Sequence, residues 1–84
     1  MKAIRAHQPG DHQVLRAEEV PVPSPGPGQV LLRIEAAGVN YIDVYERTGL
    51  YKVAMPFTPG KEAAGTVEAV GEEVTGVRKG DRVV

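Results

Sequence analysis

Cysteine is absent from the 84 residues, so neither a disulfide nor a thiolate metal site can form within them, and the chain suits a reducing compartment. No charge of one sign dominates either. Ten Lys and Arg stand against eleven Asp and Glu, for a net charge of -1, which provides no basic field to attract nucleic acid or an anionic membrane surface. Long apolar runs are missing too: no stretch approaches the roughly 20 residues of a membrane-spanning helix, and the start lacks the charged and apolar regions of a signal peptide. These absences lead to the expectation of a cytoplasmic protein with neither nucleic acid nor membrane as partner. What is present is ordinary for a folded chain, with 42% hydrophobic and 25% charged residues, so disordered and fibrous classes are excluded. One domain is the most this length allows, and such a chain buries only about two-thirds of the surface it exposes when unfolded.

Glycine and proline, ten and seven in number, punctuate the chain into short extended pieces. Met1 to His7 is expected as an opening strand, Gln8 to His12 with Pro9-Gly10-Asp11 as a turn, and Gln13 to Val20 as a second strand closing a hairpin. Proline then stands at 21, 23, 25 and 27, a spacing that favours polyproline-like extension and removes every second amide donor, so this is a spacer or an edge. Gln29 to Gly38 is the clearest strand, with Val30, Leu32, Ile34 and Ala36 on one face and Leu31, Arg33 and Glu35 on the other. Met55 to Gly60 is a turn-rich loop. Ala63 to Val74 is expected as a strand whose small residues Ala63, Ala64 and Gly65 suit close backbone approach, with Gly71 and the uneven valines suggesting a bulge. Lys79-Gly80-Asp81 turns into a strand opening at Arg82 that the chain does not finish, so Val84 is expected to be a cut.

Between the two long strands the sequence changes character. Asn40 is a good N-cap, able to accept from the first-turn amides, and Asp43 at the third helical position favours the helix start. Gly49 is a stop signal. A helix from about Tyr41 to Thr48 follows, with Tyr41, Val44, Tyr45 and Thr48 on one side of it and Tyr51 just past its end. Most of the side chains able to do chemistry lie here. Asn40 reads either as a cap alone or as an amide donor as well, and Asp43 as a capping residue more than a base. One of Tyr41 and Tyr45 is expected to pack in the core with its hydroxyl at a wet edge, and Tyr51 opens a loop, where side chains tend to serve sites. Lys61 and Glu62 are taken as neighbours on a strand, facing opposite ways, with Lys61 solvated. His7 and His12 are expected to be ordinary surface residues, and Glu72-Glu73 with Arg78-Lys79 a solvated hairpin edge.

Three pieces occur in order: Gly38-Val39-Asn40-Tyr41-Ile42-Asp43, Pro59-Gly60-Lys61-Glu62-Ala63-Ala64-Gly65, and Gly80-Asp81-Arg82-Val83. Together they resemble the N-terminal GroES-like catalytic domain of the medium-chain dehydrogenase/reductase superfamily, over nearly the whole chain. The fold this implies is mainly β, a partly open GroES-like barrel with one short helix, residues 1–84 forming the substrate-side domain and lacking its C-terminal end. Zinc alcohol dehydrogenases of that superfamily carry Cys where this chain has Asn40 and His where it has Lys61, leaving Glu62 as the one matching group that could meet a metal. No metal site is therefore expected. The zinc-free quinone oxidoreductase (zeta-crystallin-like) branch is similar in its Asn, its Tyr-rich helix and its Gly49-Leu50-Tyr51.

That resemblance implies an NADPH-dependent, zinc-free oxidoreductase reducing a quinone or an activated double bond such as an enone. The whole protein would be a homodimer. Asn40 and Tyr51 would act as catalytic donors to the substrate oxygen, and Asn40, Asp43 and Tyr45 would face the cofactor. By the same resemblance the cofactor would sit mainly on a Rossmann domain further along the chain; within these residues Gly26-Pro27-Gly28 precedes a strand and lacks the third glycine of a dinucleotide turn. The chain alone is expected to be inactive. Alternatives are a zinc-independent alcohol or enoyl reductase, a metal-dependent alcohol dehydrogenase, disfavoured by Asn40 and Lys61, and a non-enzymatic module such as a co-chaperonin-like ring subunit, because fold alone does not decide function.

Overall fold

The turn residues set the architecture. In the computed structural model, which describes all 84 residues from Met1 to Val84, five strands form two open sheets, with one α-helix between the third and fourth strands in sequence. Two units can be told apart: Met1–Pro21 with Val39–Lys61, and Val22–Gly38 with Glu62–Val84.

In the first unit, β1 (Lys2–Ala6) pairs antiparallel with β2 (Leu15–Glu19) as the expected hairpin, Ile4 opposite Ala17. The second strand begins two residues later than the sequence suggests. Asp11 accepts a hydrogen bond from the Gln13 amide at 2.9 Å, and this side-chain cap winds His12–Val14 into one turn of 3-10 helix where an extended start was expected. Ala6 is fully buried, and its amide donates to the Phe57 carbonyl at 3.0 Å while Phe57 N–H donates back at the same distance, which fastens the 55–60 loop to β1. His7 is exposed, as expected, and its ring contacts both Glu18 carboxylate oxygens at 2.8 Å. Helix α1 (Tyr41–Thr48) completes this unit.

The second unit is the sheet β3 (Val30–Ala37), β4 (Ala63–Val70) and β5 (Arg82–Val83), antiparallel in that order. Gly65 is buried in β4, where a Cβ would meet the Arg33 carbonyl of β3, so the close approach anticipated from Ala63-Ala64-Gly65 is made. One expectation fails and a second is met in part. The fourth strand stops at Val70, not Val74, because Glu73 takes a left-handed φ of 68° and the Glu72 carbonyl accepts from Gly28 N–H at 2.8 Å, turning the chain away from the ladder. The bulge announced by the uneven valines is present at Glu68, between Val67 and Val70, where the register skips a β4 residue between Leu31 and Leu32; Gly71 does not mark it, and a second skip, at Glu35 on β3 between Ile34 and Ala36, was not expected. Each skip breaks the alternation of the strand that carries the extra residue, and on β3 the expected alternation is not clean even before Glu35, since Leu31 and Leu32 are both half-buried. Val67 is the largest side chain fully buried anywhere.

Candidate functional site

Every residue of the expected site except Glu62 belongs to the first unit, on α1 and the segments flanking it. Eight residues are too few to hold a helix by propensity alone, so its ends are informative. Asn40 and Asp43 adopt the capping-box arrangement, but only one arm closes as a hydrogen bond: Asn40 N–H donates to Asp43 Oδ2 at 2.9 Å. The Asp43 amide donates at 3.0 Å to the Asn40 main-chain carbonyl, and the Asn40 side chain makes no capping hydrogen bond. Asn40 is thus the N-cap residue, as expected, with its side chain in the capping-box position over the Asp43 amide but closing no hydrogen bond there. A carboxylate is the stronger acceptor for an amide beside a positive helix end, and Asp43 closes the helix start from within.

The other end closes as anticipated. Gly49 takes a φ of 91°, the left-handed conformation that glycine adopts without a Cβ penalty. Gly10 N–H donates to the Arg47 carbonyl at 2.9 Å and Tyr51 N–H to the Tyr45 carbonyl at 3.1 Å. The last bond folds the chain back so that Tyr51 returns to the helix. Its ring meets Tyr45 edge-on at 5.5 Å between centroids, and Tyr45 stacks with Tyr41 at 6.5 Å. Both distances and both geometries are those of favourable aromatic pairs.

The three rings are accessible: Tyr41 is 80% exposed, Tyr45 37% and Tyr51 52%. Neither Tyr41 nor Tyr45 packs in a core, contrary to the expectation that one would. The helix is turned the other way, with Ile42, Asp43 and Arg47 half-buried and Glu46 buried. Glu46 Oε2 lies 3.5 Å from Lys61 Nζ. Lys61 is therefore not merely solvated, and it precedes β4 instead of lying on it. Sequence reasoning passed over Glu46. The signal was its spacing from Ile42: the two share the face opposite the tyrosines by the i, i+4 rule, so a helix presenting tyrosines outward must carry Glu46 inward. Glu62, in the second unit, has an exposed side chain whose carboxylate covers Gly38, where a Cβ would collide with it.

Unit one thus brings together Asn40, Asp43, Tyr41, Tyr45 and Tyr51: an amide with unused donors, a chain of aromatic faces and a phenol on a returning loop. Such a surface can stack a planar ring and donate to an oxygen. No group of three or more His, Asp or Glu is placed to hold a metal ion, and no helix is long and apolar enough to cross a membrane.

The chain is similar to known proteins over nearly its whole length. Residues 26–84 match the family described as the alcohol dehydrogenase GroES-like domain. The chain is 48% identical over 86 aligned residues to the quinone oxidoreductase of Lama guanicoe, covering 99% of this chain and 26% of that protein. Among solved structures it matches the Escherichia coli quinone oxidoreductase complexed with NADPH, at 37% identity and a TM-score of 0.94 over 98% of this chain and 26% of that one. It also matches the cobalt- and zinc-bound thermostable alcohol dehydrogenase from Pyrobaculum aerophilum, at 46% identity and a TM-score of 0.92, over 100% of this chain and 26% of that one. The chain spans about a quarter of the length of these relatives. It belongs to the alcohol dehydrogenase GroES-like domain family, within the medium-chain dehydrogenase/reductase superfamily.

Proposed function

We propose that this chain is the substrate-side domain of a zinc-free, NADPH-dependent oxidoreductase that reduces a quinone or an activated double bond. The observation that carries the reading is the exposed array Tyr41–Tyr45–Tyr51 next to the uncommitted amide of Asn40. Aromatic faces left open to solvent fit a planar ring such as nicotinamide or a quinone. Asn40 and Tyr45 would face the cofactor, and Asp43 supports them through its hold on the Asn40 main chain. When bound, NADPH supplies the reducing hydride. This chain's own part is to orient the substrate and to donate hydrogen bonds, from the Asn40 amide and the Tyr51 hydroxyl, to the oxygen that gains negative charge as reduction proceeds. Donors fixed in place before the charge develops stabilise it without reorganisation.

Similarity at the level of the fold does not choose between the quinone oxidoreductases and the zinc alcohol dehydrogenase, since both kinds of relative match. The side chains favour the former. An amide at 40 and an ammonium at 61 are poor zinc ligands beside the thiolate and imidazole they replace, and the Lys61 ammonium is already paired with Glu46. The intact protein, purified without chelators, is expected to reduce a quinone with NADPH while carrying no stoichiometric zinc. Elemental analysis alongside the assay tests this: about one zinc per chain, lost together with activity, would overturn the zinc-free reading.

A further inference from the structure

The inward face of α1 has little apolar surface. Ile42 is half-buried there, but the residues around it are Asp43, Glu46 and Arg47, and Glu46, 9% exposed, is the one buried charged residue of the chain. A carboxylate withdrawn from water needs a partner. Lys61 supplies it at 3.5 Å while keeping 55% of its own side chain exposed. Two more polar atoms of this face, Asp43 Oδ1 and Arg47 Nε, are buried with no partner at all. Without an apolar seam to fix its rotation, α1 is placed by polar ties: Gly10 N–H to the Arg47 carbonyl at 2.9 Å, and Lys61 to Glu46. Glu46 directly follows Tyr45. A helix rotation that freed the carboxylate would also turn Tyr45 away from the edge-on contact with Tyr51.

We propose that Glu46 and Lys61 are a positioning pair for the tyrosine array, a carboxylate–ammonium clamp that sets the rotation of α1 and with it the spacing of Tyr45 and Tyr51. Neither residue needs to touch substrate. Their effect is transmitted through the helix, so it falls on the step that depends on ring placement. The kinetic consequence rests on the oxidoreductase reading above, whereas the geometric consequence does not.

The test is a double-mutant cycle in the intact protein with Glu46→Gln, Lys61→Met and the pair together. Glu46→Gln keeps the shape and removes the charge, and Lys61→Met keeps the apolar stem. Each single variant is expected to lower kcat about tenfold and to change the Kd for NADPH by less than about threefold, with the double variant no worse than the worse single one. Retained kcat with only a lower melting temperature would overturn the proposal, because a tie that merely stabilises has that signature. Losses that multiply in the double variant would overturn it as well. A second readout uses fluorotyrosine labelling, with the three resonances assigned by single Tyr→Phe changes. Shifts of the Tyr45 and Tyr51 signals that are alike in both single variants and the double one support the clamp; unshifted signals overturn it. If the wild-type protein fails to reduce quinones, the function reading falls and the fluorine spectra alone judge the pair.

Discussion

Asn40 could serve as a helix cap, as a donor to a substrate, or as both, and the two roles have different costs. A side-chain N-cap replaced by alanine loses about 1 kcal/mol of stability. The Asn40 side chain closes no such bond; the helix start is held by the Asp43 carboxylate on the Asn40 amide and by the Asp43 amide on the Asn40 carbonyl. Asn40→Ala in the intact protein is therefore expected to lower stability by less than about 0.5 kcal/mol while reducing kcat. Tyr51→Phe should behave the same way, because it keeps the ring against Tyr45 and removes only the hydroxyl. For either variant a loss of roughly 10-fold to 100-fold in kcat corresponds to about 1.4 to 2.7 kcal/mol of lost transition-state interaction. Denaturant melts together with steady-state kinetics at saturating NADPH separate the roles, provided the chemical step limits the rate. Unchanged kcat with reduced stability in Asn40→Ala would make the residue a cap after all, and unchanged kcat in Tyr51→Phe would leave its ring as a packing group only.

Among the elements, β4 depends on a residue that has no side chain. A methyl at Gly65 would run into the Arg33 carbonyl of the adjacent strand, and backbone gives way less readily than a side-chain tip. Gly65→Ala is expected to destabilise the fold by about 1 to 3 kcal/mol, the range for overpacking, whereas Gly76→Ala meets open space and strains only its φ of 91°. Thermal melts of the two variants test this, and a smaller loss for Gly65→Ala than for Gly76→Ala would contradict it. That close approach was legible in Ala63-Ala64-Gly65, as α1 was in Asn40, Asp43 and Gly49, because these signals act within a few residues. The side of α1 that faces inward was not legible. Its period is shared by both faces, and what decides between them is a lysine fifteen positions further on in the chain, Lys61, meeting Glu46. The uneven valines of β4 did announce the bulge at Glu68, between Val67 and Val70, but the one at Glu35 escaped, because it is fixed by cross-strand register, to which the regular alternation of β3 is blind. The cap was legible down to its two residues, Asn40 and Asp43, but not which arm of the box closes as a hydrogen bond.

At the scale of the whole molecule, the two places in this chain most like a dinucleotide phosphate cradle are both already taken. A phosphate cradle needs unused backbone amides, usually at a glycine-rich turn that opens a helix. Gly26-Pro27-Gly28 is the nearest approach in sequence, and its donors are spent. Gly26 N–H donates to Gln29 Oε1 at 2.9 Å, Gly28 N–H to the Glu72 carbonyl at 2.8 Å and Gln29 N–H to the Gly26 carbonyl at 3.0 Å, while Pro27 has no amide proton. The turn feeds a strand, not a helix. The start of α1 is no better, because the Asp43 carboxylate already sits there as the anion. On the proposed reading, what this chain would offer a cofactor is ring faces and an amide to orient a nicotinamide, without the charge-assisted bonds that give phosphate its affinity. Residues 1–84 alone are therefore expected to bind NADPH negligibly. Titration calorimetry of the folded 84-residue chain, with folding confirmed by circular dichroism, should show no saturable heat at micromolar concentrations. A Kd below about 1 μM, equivalent to about -8 kcal/mol, would mean that a phosphate site lies within these residues and that the cofactor is held here, not merely faced.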